Sequence, residues 1–238
     1  MRYLGSIAFN ILFIVWTLLI FIIGLPVLLL PTRYVFAWGC LWAWVTLQLL
    51  RFIGGVDSRF IGMEKLPEGP FILASKHQST WDSLVLPRLA PNSAYVLKRE
   101  LTEIPLFGAY VKRSGMIPVD REAGAPAIRS MLQQAKAAVA QGKIIGIYPQ
   151  GTRTAPGTKL PYHPGVAALY THLKLPVVPV ALNSGLFWAR RAWFLRPGTI
   201  TLEVLDVIEP GLDRKTFLLE LERRIEEASD RLARESEQ

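Results

Sequence analysis

A histidine and an aspartate lie just after a short apolar run, and their side chains are of the types that perform acid–base chemistry. The run, Phe71–Ala74, predicts a buried strand, so His77 falls where a strand ends and a loop begins. Ser79 or Thr80 can cap the following helix and place Asp82 in its first turn. An imidazole oriented by a carboxylate can remove a proton from a hydroxyl group. We therefore expect His77 to act as a general base that Asp82 orients.

The same spacing also arises by chance. An aspartate in the first turn of a helix is favoured by the helix dipole and by unpaired backbone N–H groups, whatever its function. The interpretation of His77 and Asp82 therefore depends on the motifs elsewhere in the chain.

A second motif lies in residues 98–121, where cations flank a stretch that contains glycine and proline. The pattern predicts a strand, a loop and a second strand, with Lys98 near one end and Arg121 at the other. Two cations placed in this way can bind a phosphate group. Cations that only interact with solvent at loop ends would give the same pattern.

A third motif is the turn that follows the apolar segment Ile144–Tyr148. Ligands of α/β sheets usually bind where strands end. In this turn Gly151 leaves room for close backbone approach and Thr152 offers a hydroxyl donor. Arg153 offers a planar fork that matches phosphate oxygens.

Composition narrows the class of protein. The one cysteine among 238 residues, Cys40, excludes an intramolecular disulfide, and its apolar surroundings argue against a thiolate metal site. The net charge of +8 suits anionic lipids, phosphate substrates or nucleic acid. We expect no nucleic-acid partner, because RNA-binding aromatic motifs and zinc-finger spacings are missing. We expect no metal and no cofactor, and His163 and His172 belong to no matching motif.

The amino-terminal part of the chain has the composition of a membrane segment. Residues 7–30 carry no charged side chain and would form a helix of about 36 Å, long enough to cross the hydrocarbon core. Residues 34–50 are also uncharged and would form a helix of about 25 Å. The first stretch is too long for the apolar region of a typical signal peptide. We therefore expect residues 1–50 to form a retained membrane-anchoring helical hairpin, followed by a catalytic domain at 51–238.

Two topologies of this hairpin remain open: a full crossing by two helices, or a re-entrant hairpin confined to one leaflet. Both return the chain after residue 51 to the side of the amino terminus. Arg2, Arg51 and Arg59 would lie on that side and Arg33 at the turn, which favours a catalytic domain on the cytoplasmic face of the membrane. Residues 187–194 mix arginines with aromatic side chains, as membrane-surface loops do, although an ordinary exposed basic loop has the same composition.

Strand candidates alternate with helix candidates after the hairpin, which predicts an α/β fold with helices on both faces of a sheet. Strands are expected at residues 71–74, 94–97, 116–119, 144–148, 177–182 and 200–207. Helices are expected at residues 80–89, 126–141, 166–173 and 214–235. The last helix is predicted to dock an apolar stripe on the sheet and to keep its alternating charges in water.

Four sequence blocks, in this order, resemble those of the glycerolipid acyltransferase family, which includes the 1-acyl-sn-glycerol-3-phosphate acyltransferases. The family pattern is His-x4-Asp, a stretch from Lys-x-Glu-Leu to Arg, a Glu-Gly-Thr-Arg turn and a final apolar strand with proline. The blocks here are His77–Asp82, Lys98–Arg121, Gln150–Arg153 and Leu175–Val180. The resemblance implies an α/β fold with a mixed, mostly parallel sheet flanked by helices.

The resemblance also implies a reaction. A fatty acyl group would pass from acyl-CoA or acyl carrier protein to the sn-2 hydroxyl of a membrane-held lysophospholipid, 1-acyl-sn-glycerol-3-phosphate, giving phosphatidic acid. His77 would take the hydroxyl proton with no covalent acyl-enzyme, and Asp82 would fix the imidazole. Arg153, with Lys98 and Arg121, would bind the acceptor's phosphate. Backbone N–H groups near residues 77–82 would stabilise the carbonyl oxygen.

Gln150 departs from the pattern, because the family usually has Glu at this position. An amide keeps hydrogen bonding but loses the charge, so we expect Gln150 to orient the turn or a substrate hydroxyl and to have no acid–base role. The change also leaves other acceptors open, such as a lyso-ornithine lipid, a lysophospholipid with a full head group or glycerol-3-phosphate. A non-catalytic membrane lipid-binding protein is a further alternative, whereas a hydrolase lacks its Gly-x-Ser-x-Gly motif.

Overall fold

The structure, a computed structural model, describes residues 2–236 apart from the side chains of Arg2 and Arg121. The helices are α1 (Arg2–Ile23), α2 (Thr32–Phe52), α3 (Thr80–Leu89), α4 (Phe107–Arg113), α5 (Ala125–Val139), α6 (Pro164–Leu173) and α7 (Arg214–Glu235). The strands are β1 (Val56–Ile61), β2 (Ile72–Ser75), β3 (Ser93–Lys98), β4 (Ile117–Val119), β5 (Ile144–Ile147), β6 (Val177–Leu182) and β7 (Gly198–Val204).

The seven strands form one sheet in the order β1-β7-β6-β2-β5-β3-β4. Neighbouring strands are parallel except β6 and β7, so β1 and β7 run opposite to the other five. In the centre of the sheet, Ala74 of β2 pairs with Ile147 of β5 and with Pro179 of β6. The predicted fold class, a mixed and mostly parallel sheet flanked by helices, is confirmed.

The central strands are buried on both faces, as expected for parallel strands with continuous apolar sequences. Alternation along β2 and β6 places Leu73 and Val178 in one core, with α3 and parts of α1 and α2. It places Ile72 and Val177 in the opposite core, with α5, α6 and α7. The helical hairpin and α3 therefore cover one face of the sheet, and the three later helices cover the other.

The strand order brings the sequence motifs together. Strands β6, β2, β5 and β3 are adjacent and parallel, so their carboxyl ends lie at one edge of the sheet. The loops that follow these strands begin at Asn183, Lys76, Tyr148 and Arg99. This is the edge at which α/β folds bind ligands.

Helices α1 and α2 are long and apolar enough to cross a membrane, judged by length and composition. Both pack along the α/β part of the chain. Near the start of α1 the Phe9 ring lies 5.2 Å from that of Trp188, and near its end Tyr110 Oη donates a hydrogen bond to Phe21 O at 2.7 Å. The outward side of α1 exposes a stripe of aliphatic side chains: Leu4, Ile7, Ile11, Ile14, Leu18 and Ile22.

The prediction of one helix over residues 7–30 is wrong. Helix α1 ends at Ile23, and a short 3₁₀ helix, Leu25–Leu29, follows Gly24. A Cβ at Gly24 would lie 2.2 Å from Trp38 Nε1, so glycine permits the close crossing of the two helices. Trp38 Nε1 donates to Ile20 O at 3.1 Å and fixes this crossing.

Two elements were not predicted, β1 and α4. Strand β1 lies at the edge of the sheet, and its polar residues Asp57 and Ser58 hide the apolar signal of a strand. Helix α4 lies where the sequence predicted a loop between strands. The sequence does not indicate this helix, because it is short and contains Gly108, a poor helix former. The other predicted helices and strands of the α/β part are present with ends within three residues.

The docking of α7 can be tested with two leucines on the same helix. Leu221 is fully buried against the sheet and Leu219 is 60% exposed. We expect Leu221→Ala to lower the free energy of unfolding by about 2–5 kcal/mol, because it opens a cavity in the core. Leu219→Ala is expected to change it by less than about 0.5 kcal/mol. Urea denaturation in detergent measures both, and equal losses would contradict this packing.

Candidate active site

The predicted pair, His77 and Asp82, forms at the carboxyl end of β2. His77 Nδ1 lies 2.9 Å from Asp82 Oδ2, and the carboxylate is fully buried. With Nδ1–H donating to Asp82, Nε2 is the nitrogen that can accept a proton. Among the described residues none hydrogen-bonds Nε2, and His77 lines a cavity. The geometry is that of a general base and its orienting acid.

Asp82 receives three more hydrogen bonds. Its Oδ2 accepts from the backbone N–H of Gln78 at 2.6 Å and of Ser79 at 2.8 Å, and its Oδ1 accepts from Ser184 Oγ at 2.5 Å. Ser79 caps α3, and its own Oγ accepts from the N–H of Trp81. These donors compensate for the lost hydration of a buried carboxylate and hold it in one orientation.

The same contacts change one expectation. The N–H groups of Gln78, Ser79 and Trp81 were candidates for stabilising a developing oxyanion near residues 77–82. In the structure the first two donate to Asp82 and the third donates to Ser79. These three groups therefore build the pair and are not free to serve an oxyanion.

Tyr148 fixes the imidazole from the other side. Its ring stacks on His77 with centroids 3.8 Å apart and planes within 15°. Its hydroxyl shares a hydrogen bond of 3.3 Å with Ser83 Oγ on α3. Burial raises the pKa of Tyr148 well above its usual value, so the phenol stays neutral beside the imidazole. The ring limits rotation of His77 without adding charge.

The turn after β5 supplies the predicted polar groups. Gly151, Thr152 and Arg153 all line the cavity with His77. Arg153 Nη1 donates to Thr80 Oγ1 at 2.8 Å, which ties the guanidinium to the start of α3. Burial, and then the neighbouring Arg190, lower the pKa of Arg153, but a guanidinium remains a cation in proteins.

The remaining predicted site residues lie in different places. Lys98 is exposed and lines the same cavity as Arg153. The Arg121 side chain lies outside the part of the chain that the structure describes. Gln150 is buried and does not line the cavity; its Oε1 is 3.3 Å from Thr154 Oγ1. Thr154 also donates its N–H to His77 O at 2.9 Å. Gln150 thus lies beneath the turn, and a direct contact with substrate stays a prediction.

The cavity has a volume of about 490 Å³, within the range of about 300–1,000 Å³ that is typical of ligand sites. The polar residues of its lining include His77, Arg153 and Lys98. The rest of the wall is mainly apolar and comes from α2, α3, α4 and β3: Val35, Phe36, Cys40, Ala43, Leu84, Leu86, Val96, Leu97, Phe107 and Val111. The amino-terminal hairpin therefore forms part of the cavity wall.

The residue that precedes His77, Lys76, forms a buried ion pair with Glu226 of α7. Lys76 and Glu226 are only 2% and 4% exposed, and Lys76 Nζ is 2.7 Å from Glu226 Oε2. Tyr162 Oη donates to Glu226 Oε1 at 2.9 Å. The prediction that all charges of α7 are solvated is therefore wrong at Glu226. The pair joins the last helix to the end of β2, one residue before His77.

Sequence reasoning missed Ser184, Tyr148 and the Lys76–Glu226 pair as parts of the site. Tyr148 carried a signal, because an aromatic residue ends the strand that leads into the glycine turn. Ser184 and Glu226 lie far along the chain from the residues they contact. Their roles follow from the strand order and from the docking of α7.

Comparisons with known proteins identify the family to which the chain is similar. An acyltransferase family model matches residues 57–183, more than half of the chain. The 1-acyl-sn-glycerol-3-phosphate acyltransferase of Pseudomonas aeruginosa is 32% identical over 212 residues, which cover 89% of this chain and 82% of that protein. The Saccharomyces cerevisiae protein of the same name is 29% identical over 148 residues, which cover 59% of this chain and only 49% of that protein.

A solved structure has the same fold. The 1-acyl-sn-glycerophosphate acyltransferase PlsC of Thermotoga maritima matches with a TM-score of 0.80 over 98% of both chains, at 20% sequence identity. The resemblance that the four sequence blocks indicated is confirmed by the family match and the Pseudomonas relative.

The Lys76–Glu226 pair makes a prediction about stability. Glu226→Gln leaves a buried ammonium group without its counter-charge, and we expect the free energy of unfolding to fall by about 3–5 kcal/mol. The control is Asp230→Asn on the same helix, which removes the partner of the exposed Lys159. That change is expected to cost about 0–1 kcal/mol. Urea titrations of the two variants in detergent should differ clearly, and similar midpoints would show that the buried pair does not tether α7.

Proposed function

This chain belongs to the acyltransferase family, and we propose that it transfers a fatty acyl group from a thioester to the sn-2 hydroxyl of 1-acyl-sn-glycerol-3-phosphate, giving phosphatidic acid. The enzyme is an O-acyltransferase. The observation that carries the proposal is a single cavity that His77 and Arg153 line together with many apolar side chains. A lysophospholipid presents the matching groups, which are a hydroxyl, a phosphate and an acyl chain.

In the proposed reaction His77 Nε2 takes the proton of the acceptor hydroxyl as its oxygen attacks the thioester carbonyl. The new C–O bond forms, the C–S bond breaks, and the proton passes from the imidazolium to the leaving thiolate. Asp82 holds the imidazole in the tautomer that leaves Nε2 unprotonated before attack. Neither residue becomes acylated, so the transfer is direct.

The phosphate of the acceptor would lie near Arg153. This guanidinium is half-buried, lines the cavity and is held by Thr80, which precedes Asp82 by two positions on α3. The sn-2 hydroxyl oxygen is four bonds from the phosphorus atom, so a phosphate bound at Arg153 would hold that hydroxyl within the cavity that His77 lines. Lys98, on the next strand, adds a second positive group to the same cavity.

The apolar wall is suited to an acyl chain. It is built by side chains of α2, α3 and α4 around the cavity. At Gly39, on α2, an added Cβ would meet no atom within 4 Å, so this part of the wall is open. The donor would be acyl-CoA or acyl carrier protein, since either presents the thioester that the mechanism needs.

We propose that the hairpin enters one leaflet and returns, with the catalytic domain on the cytoplasmic face. The turn between α1 and α2 is attached to the α/β part of the chain, because Arg113 donates from Nε to Leu28 O at 3.0 Å and from Nη2 to Leu30 O at 3.1 Å. Ser6, near the other end of α1, accepts from the N–H of Leu195 at 3.0 Å. A helix attached to the same domain at both ends supports a hairpin that lies beside that domain.

The general base is tested with two histidines. We expect His77→Ala to lower kcat by about 10²–10⁴-fold, because the variant lacks the proton acceptor. His172→Ala, which changes an exposed histidine on α6, should retain the wild-type rate. The assay is thiol release from a long-chain acyl-CoA by purified protein in detergent, with and without 1-acyl-sn-glycerol-3-phosphate. Substantial turnover by His77→Ala would exclude its role as base, and wild-type inactivity with every lysolipid and donor would exclude the reaction.

The topology is tested by labelling single cysteines in a Cys40→Ala background. Arg33→Cys lies at the hairpin turn and Arg59→Cys lies on β1, and both side chains are exposed. In oriented membrane vesicles, a membrane-impermeant maleimide should label position 59 from the face that carries the catalytic domain. It should not label position 33 from the opposite face, because the turn does not cross the bilayer. Labelling of position 33 only from the opposite face would show that the hairpin spans the bilayer.

A further inference from the structure

The loop between β6 and β7 carries three arginines, Arg190, Arg191 and Arg196, whose function the proposed reaction has not used. This loop, residues 184–196, is held by contacts at its start, middle and end. Ser184 Oγ donates to Asp82, the Trp188 ring packs edge-on against Phe9, and the N–H of Leu195 donates to Ser6. The loop therefore has a defined position between the His77–Asp82 pair and α1, and its backbone holds its polar side chains in a defined place.

Arg190 is the loop residue that reaches the active site. Its Nη1 donates to the backbone oxygen of Arg153 at 3.2 Å, and both arginines line the cavity with His77. A guanidinium has five N–H donors, so most donors of Arg190 remain after this bond. Both Arg190 and the adjacent Arg191 are exposed, but Arg191 does not line the cavity.

Neither of these two guanidinium groups, those of Arg153 and Arg190, forms an ion pair with a residue that the structure describes. Arg190 is the first of the charged groups that lower the pKa of Arg153, after the effect of burial. The Asp82 carboxylate, which is paired with His77, acts on Arg153 beyond ion-pair distance. Two neighbouring cations without an ion-pair partner form a site whose electrostatic energy improves when an anion binds between them.

The charge of this site matches one class of phosphate better than another. A phosphate monoester carries about −1.5 to −2 charges at pH 7 and has three free oxygens. A phosphodiester carries a single charge and has two free oxygens, so it forms fewer and weaker charge-assisted hydrogen bonds with a second arginine. A lysophospholipid with a full head group is such a diester, whereas 1-acyl-sn-glycerol-3-phosphate is a monoester.

We propose that Arg190 and Arg153 together form a phosphate-monoester site, in which Arg190 makes the enzyme select a monoester acceptor over a phosphodiester acceptor. This inference rests on the proposed function and assigns the head-group specificity of that same site. Arg190 binds substrate and takes no part in proton transfer. The monoester that we assign to the site is that of the acceptor; the 3′-phosphate of CoA is the other source of the same chemistry.

The test compares Arg190→Ala with its neighbour Arg191→Ala. Acyl-CoA is the donor, and the acceptors are 1-acyl-sn-glycerol-3-phosphate and 1-acyl-sn-glycero-3-phosphocholine. We expect Arg190→Ala to lower the monoester-to-diester ratio of kcat/KM by about 10–100-fold, the effect of one lost charge-assisted hydrogen-bonding group, mainly through the KM of the monoester. Arg191→Ala should stay within about twofold of wild type, and Arg190→Lys should recover part of the ratio.

Direct binding separates this inference from the reaction itself. Calorimetry without donor should show that wild type and Arg191→Ala bind glycerol 3-phosphate more tightly than glycerophosphocholine. Arg190→Ala should lose that preference. This result would support the monoester site even if the wild-type enzyme failed to acylate 1-acyl-sn-glycerol-3-phosphate, which would remove only the proposed function.

Three outcomes would overturn the inference. The first is an unchanged preference for glycerol 3-phosphate in Arg190→Ala. The second is a rise in the KM of acyl-CoA alone, absent with a 3′-dephospho-CoA donor, which would assign Arg190 to the donor's phosphate. The third is an equal effect of Arg190→Ala and Arg191→Ala on activity and on binding to anionic vesicles, which would assign both arginines to the membrane surface.

Discussion

A buried carboxylate is stable only when donors replace the water it has lost, and Asp82 obtains those donors from separate parts of the chain. Two N–H groups come from the turn before α3, one ring nitrogen comes from His77, and a hydroxyl comes from Ser184 after β6. The hydroxyl can arrive only because β6 is the parallel neighbour of β2. The geometry of the His77–Asp82 pair therefore depends on the strand order of the sheet.

The amino-terminal hairpin combines an exposed apolar side with residues that line the cavity. Helix α2 forms one wall of the cavity, and α1 contacts the loop that carries Ser184 and Arg190. Exposed aromatic side chains of that loop, Trp193 and Phe194, lie beside the start of α1, where Tyr3 meets the Phe194 ring edge-on. The apolar exterior and the polar reaction site are thus connected through a few fixed contacts.

The sequence predicted the features that depend on local pattern. The apolar run before His77, the cap at Ser79 and the glycine turn before Arg153 each have a local physical cause, so their elements and positions agree with the structure. The alternation of elements likewise predicted the α/β class. Contacts between distant segments, such as Ser184 with Asp82, depend on strand order, which no local pattern encodes. Lysine side chains are usually exposed to solvent, and only the distant partner of Lys76, Glu226, explains its burial.

The separation of Lys76 and Glu226 in sequence has a consequence for how the enzyme matures during synthesis. All the cavity-lining residues, up to Arg190, leave the ribosome before Glu226 does. Until α7 follows, the ammonium group of Lys76 has no counter-charge, and the end of β2 lacks its attachment beside His77. Protein domains fold as units while the chain grows from its amino terminus. The attachment of the end of β2, beside His77, to the rest of the fold is therefore completed only when the last helix has been made.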